Sequence, residues 1–128
     1  MATDHDSHAL ARAKALVDAA LRDPQHWSAH LAQAEALLMA TAASAPDDGV
    51  VLTCLGAVLC DQGKYREAAE ALQRALRLRS DDRNTHFNLG VALLNSGKRR
   101  QAMQRFRQAA SRHASAATWE AYFDPHAQ

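Results

Sequence analysis

Apolar residues along this chain recur at intervals of three and four, in runs broken by short polar stretches, and that spacing predicts helices rather than strands. The first run is Leu10, Ala13, Leu16, Val17, Ala20 and Leu21. It follows Ser7, a residue suited to capping free helix N–H groups, and stops at Asp23-Pro24, because the residue before proline is pushed out of the helical region. A second helix is expected from about Gln25 to Ala43, ending before Pro46. Between Asp48 and Gln62 the stripe Val51, Leu52, Leu55, Val58 and Leu59 predicts a third, and Tyr65, Ala68, Ala69, Leu72, Ala75 and Leu76 predict a fourth. Phe87, Leu89, Gly90, Ala92 and Leu93 mark a fifth, and Ala102, Met103, Phe106 and Ala109 a sixth. Asp47-Asp48 and Asp81-Asp82 stand before the third and fifth helices, where carboxylates can accept from free N–H groups at the positive dipole end.

The third and fourth helices are written again in the fifth and sixth, 34 residues later. Leu55-Gly56 falls on Leu89-Gly90, Leu59 on Leu93, Gly63-Lys64 on Gly97-Lys98, and Arg66 on Arg100. Ala68 falls on Ala102, Leu72 on Phe106, and Ala75 on Ala109. A glycine inside a helix costs about 1 kcal/mol against alanine, so Gly56 and Gly90 imply close helix–helix approach. Gly63 and Gly97, just past their helices, suit the left-handed conformation that ends one.

A 34-residue period with small residues in both helices resembles the tetratricopeptide repeat family. The resemblance implies an all-α fold, a right-handed superhelical array of antiparallel helix pairs. Repeats are expected at 49–82 and 83–116. A degenerate repeat spans 7–46, since Ala34, Leu38 and Pro46 lie 34 before Ala68, Leu72 and Ser80. Residues 1–6 read as a disordered leader, and 117–128 as a cap built on a short amphipathic helix carrying Trp119, Tyr122 and Phe123. The chain departs from the family pattern where Leu52 and His86 replace an aromatic, as do Leu59 and Leu93, and where Ser80 and Ala114 replace the closing proline.

Composition adds limits. With 128 residues, 48% hydrophobic and 23% charged, the chain is expected to be one soluble domain. No apolar run is long enough to span a membrane and no secretory leader is seen, so a cytoplasmic location is expected. Cys54 and Cys60 lie six apart on one expected helix, pointing to different sides, and read as free thiols. His26 and His30 are spaced for a shared metal, with His5 and His8 able to join only from the tail. Too few ligands are present, so no metal and no cofactor is expected. Neither a phosphate-binding loop nor a nucleophile signature is present, and no enzyme is expected.

The net charge is +1 but unevenly placed. Residues 1–73 carry five basic against ten acidic side chains, and residues 74–112 carry ten against two. The basic patch Lys98, Arg99, Arg100, Arg105 and Arg107, with Arg112 beyond it, falls on the second helix of the last repeat, which in the family lies on the convex side. Nucleic-acid binding there is disfavoured, because only Phe106 is interleaved as an aromatic.

In the family the first helices line a concave groove that holds peptides. By register the groove positions here are Val50, Thr53, Ala57, Cys60 and Asp61, then Asn84, Phe87, Val91, Leu94 and Asn95. Asn88 matches one asparagine of the family's carboxylate clamp, but Thr53 and Ala57 stand where that clamp needs Lys and Asn, so an acidic C-terminal tail is not the expected ligand. The expected partner is another protein, offering an extended apolar segment or an amphipathic helix, with Phe87 as the anchor. The groove's other candidate occupants are the protein's own N-terminal helix, its tail, or a second copy. Further readings are a small secretion-system-type chaperone of bacterial character and a self-associating adaptor forming homo-oligomers through its charged halves.

Overall fold

The computed structural model describes residues 4–122, and among them the only regular elements are helical. The helices are α1 (Asp4–Arg22), α2 (Trp27–Ser44), α3 (Gly49–Asp61), α4 (Tyr65–Arg77), α5 (Arg83–Asn95) and α6 (Arg99–Ala110), with a single 3-10 turn, Pro24–His26, between α1 and α2. Each helix packs on the next, and the first members of the pairs, α1, α3 and α5, also touch in that order. Successive pairs therefore stack as a helical repeat array.

Helix boundaries follow local chemistry. The Asp48 carboxylate accepts from the backbone N–H groups of Val50 and Val51, and Asp82 accepts from Asn84. Asp47 and Asp81 do not cap; Asp81 instead pairs with Arg112 at 2.6 Å. Gly63 and Gly97 take positive φ, 77° and 81°, and end α3 and α5 in the same way. The N–H after each glycine reaches back to Leu59 or Leu93, and the glycine's own N–H to Cys60 or Leu94. The end of α4 uses the same pair of bonds, Ser80 to Ala75 and Arg79 to Leu76, but puts Arg79 at φ 65°.

The mid-helix glycines sit where the pairs touch. A Cβ on Gly56 would run into the end of the Leu72 side chain, and one on Gly90 would lie 2.5 Å from the Phe106 ring. The core is continuous from Leu10, Val17, Leu31 and Leu38 through α3 to Leu89 and Leu93. Helix α3 is its centre, with every residue from Val51 to Asp61 buried.

Several expectations are corrected. Asp4–Asp6 belong to α1 and Asp6 is buried, so the leader is shorter than residues 1–6; residues 1–3 lie outside the described residues. Leu21 and Met103, assigned to buried stripes, are 40% and 43% exposed, because each lies at the edge of its helix face where no described helix covers it. The capping helix is not a helix. Residues 113–122 form an irregular segment in which a turn at Ala116-Ala117 leads into an extended run, and Phe123, Asp124 and Pro125 lie outside the described residues. Trp119, Tyr122 and Phe123 satisfy a helical spacing, but over so short a window periodicity cannot separate a helix from an extended segment.

Candidate interaction groove

The extended segment runs back across the first helices, along the face they share. It starts at the N-terminus of α5. The backbone N–H of Arg83 donates to His113 O at 3.0 Å, and Asp82 Oδ1 accepts from Ser115 N at 3.0 Å while still capping Asn84. Asp82 Oδ2 accepts from the Thr118 hydroxyl at 2.5 Å, and Asn84 Nδ2 donates to that same hydroxyl at 3.1 Å. One carboxylate thus fixes both the helix start and the entry of the tail.

Asn88, fully buried, holds the middle of the segment with both ends of its amide. Its Nδ2 donates to Trp119 O at 3.0 Å and its Oδ1 accepts from Ala121 N at 2.9 Å. The amide replaces the donor and acceptor that a neighbouring strand would offer, and satisfies backbone groups that burial would otherwise leave unpaired. Cys54 is the register twin of Asn88, and its Sγ donates weakly to Ala117 O at 3.5 Å. Further along, Asp61 Oδ1 accepts from Tyr122 N at 2.7 Å. Side chains add the apolar part. Trp119 joins the core, while Glu120 points to the rim and pairs with Arg83 at 2.6 Å. At the far end Lys14 of α1 donates to the Tyr122 hydroxyl at 2.9 Å and lies 5.0 Å from its ring centroid. Burial works against the Lys14 ammonium, but the Asp18 carboxylate and the Tyr122 oxygen outweigh it and raise its pKa.

The positions expected to line the groove divide between two surfaces. Asp61, Asn84 and Asn88 touch the tail. Val50, the register twin of Asn84, is half-buried. Thr53, Ala57 and Cys60 are fully or almost fully buried in the seam between α3 and α5: Thr53 Oγ1 meets Thr85 Oγ1 at 2.6 Å, and Cys60 Sγ donates to Asn88 O at 3.6 Å. Their twins Phe87, Val91 and Leu94 occupy the same face of α5, which turns away from the tail toward the end of the array. Phe87 is half-buried against α6, its ring 5.5 Å from that of Phe106, with the Arg83 guanidinium 4.9 Å from its centroid. Asn95 spends its amide on Val91 O of its own helix. The tail's other anchors, Lys14, Cys54, Asp82 and Arg83, were not among the expected groove positions. The 34-residue register holds the signal for Cys54; nothing in the sequence marks the rest.

Lys98, Arg99, Arg100 and Arg107 are exposed on and beside α6, and Arg105 is half-buried. Both thiols are buried and free; burial, then the nearby carboxylates Asp82 and Asp48 for Cys54 and Asp61 for Cys60, push their pKa values up and keep them protonated. Neither is activated as a nucleophile. His26 Nδ1 lies 2.7 Å from Asp23 Oδ2, and among the described residues no three metal-ligating side chains converge. The His5 side chain lies outside the described residues. Among the described residues no helix is long and apolar enough to cross a membrane. Residues 56–97 match the family model described as TPR repeat. No curated protein matches the chain.

Proposed function

We propose that this tetratricopeptide-repeat protein is a protein-interaction scaffold whose concave groove takes an extended segment by its backbone, and that its own tail holds the groove until a partner segment replaces it. Proteins of this family typically serve as non-catalytic scaffolds for contacts between proteins. The observation that carries the reading is the two-bond clasp of Asn88 on Trp119 O and Ala121 N. Contacts to main-chain atoms select extended geometry, so they serve a foreign segment as well as the tail. Selectivity falls to the side-chain sites: a hydroxyl at the Thr118 position, a large aromatic at 119 and a small residue at 121.

The tail has the advantage of tethering, which holds it at high effective concentration, and a free segment competes poorly with it. Trp119→Ala in the 128-residue chain removes the main apolar anchor and opens the groove. A labelled peptide with the sequence of residues 115–122 should then bind the variant more tightly than the native chain, by about tenfold, a difference near 1.4 kcal/mol. Adding Asn88→Ala should abolish that binding. Failure of the peptide to bind Trp119→Ala, in a sample whose helical signal and melting show it folded, would sink the reading.

A further inference from the structure

The face of α3 that carries Thr53, Ala57 and Cys60 is covered by α5, and repetition places Phe87, Val91 and Leu94 on the matching face of α5, with no described helix over it. A free end of a repeat array is normally polar, since an apolar one would face water. Here the change runs the other way: threonine, alanine and cysteine inside the array become phenylalanine, valine and leucine at its end. Leu94 is 37% exposed and Met103, on the adjoining α6, 43%. The described part of the tail, through Tyr122, does not cover this end, because it turns into the groove instead.

On its α6 side the rim has one sign. Helix α6 carries Arg99, Arg100, Arg105 and Arg107 and no carboxylate, and Lys98 precedes it. Among the described residues none of these five forms an ion pair. Arg99, Arg100 and Arg107 line a shallow depression on α6 with Met103 at its apolar part. A second copy stacked head to tail is a poor match, because the cleft between α1 and α2 at the opposite end is lined by Arg12 with Leu16, Leu37 and uncharged neighbours. That cleft offers the α6 arginines no carboxylate. A nucleic acid is also a poor match for a patch centred on exposed aliphatic side chains.

We propose that this end of the array, centred on Leu94 and Met103, docks an amphipathic helix of another protein whose apolar stripe is flanked by carboxylates. The fold itself supplies the geometry, since the same face one repeat earlier receives α5. The site is separate from the groove and does not depend on the tail.

The probe is a short labelled amphipathic peptide with leucines at helical spacing and glutamates on both flanks, beside a twin with lysine flanks, titrated into the 128-residue chain. The acidic peptide should bind, and more weakly as salt rises; the lysine twin should not. Leu94→Glu and Arg107→Glu should each weaken binding by about tenfold, near 1.4 kcal/mol, while Asn88→Ala leaves it unchanged. Both replaced residues are exposed, so melting should stay native; if Leu94→Glu fails to fold, Met103→Glu reads the same face. Equal affinity for the two peptides, or no loss in both Leu94→Glu and Arg107→Glu, overturns the proposal. So does a dimer that Leu94→Glu dissociates, which would assign the face to a second copy, or an oligonucleotide that displaces the acidic peptide.

Discussion

Repeats 49–82 and 83–116 share a backbone plan and differ in what lies next to them. In the first, α3 is covered on all sides and its residues from Val51 to Asp61 are buried. In the second, α6 buries only Ala102 and Ala109, and the outward face of α5 is half open. The same register position can therefore be core in one repeat and surface in the next. Position alone says which way a side chain points; the neighbour decides whether it meets water.

The largest break in the comparison should come from the glycines. Gly56→Leu and Gly90→Leu both force a side chain into occupied space, each at a cost of about 1–3 kcal/mol. The first should cost more. Gly56 faces Leu72, which is fully buried and has nowhere to go, whereas Gly90 faces Phe106, which is half-buried and can swing toward solvent. Thermal or denaturant melting of the two variants decides it; equal losses would mean that the end of the array is as tightly confined as its centre.

A smaller, pH-dependent difference separates Leu52 from its twin His86. Burial, then the positive charges of Arg112 and Arg105, lower the His86 pKa despite opposing effects of Asp81 and Asp82. The folded state thus binds its proton later than the unfolded chain, whose histidine titrates near about 6.5. Stability is intact above that unfolded value and is lost as pH falls from it through the lowered folded value. His86→Leu, which makes the second repeat match the first, should flatten stability against pH over that window. A native-like pH slope in the variant would assign the loss to other groups.

The smallest effect concerns the helix ends. Gly63, Arg79 and Gly97 close α3, α4 and α5 with the same hydrogen bonds, yet only Arg79 carries a side chain at positive φ. Arg79→Gly should stabilise by about 0.5–1 kcal/mol, visible as a small rise in melting temperature. A decrease would show that the arginine side chain contributes more than its backbone strain costs.

The six helices of the repeats, the end signals at Gly63 and Gly97, and the contacts of Gly56 and Gly90 were legible because each depends on near neighbours or on the period itself. The groove was legible in part. Asn88 stood out by its position, but Thr53, Ala57 and Cys60 were grouped with it because helical spacing gives faces without saying which neighbour each face meets. The tail's path was not legible at all. It depends on one carboxylate, Asp82, serving Asn84, Ser115 and Thr118 at once, a convergence of residues up to 36 positions apart that no local pattern encodes. The aromatic spacing of Trp119 and Tyr122 served an extended segment as well as it would have served a helix.

The path of that tail bears on how the protein comes apart. A stack of helix pairs is nearly one-dimensional, and its ends can fray without disturbing its middle. Here the segment from Ser115 to Tyr122 makes contacts with α5, α3 and α1, and the bond from Lys14 to Tyr122 joins residues 108 apart. Fraying of α1 removes a tail contact, and release of the tail exposes the faces of all three first helices. The strap converts a row of semi-independent units into one cooperative unit, so that amide protons in α1 and in α5 should exchange with solvent through the same opening event.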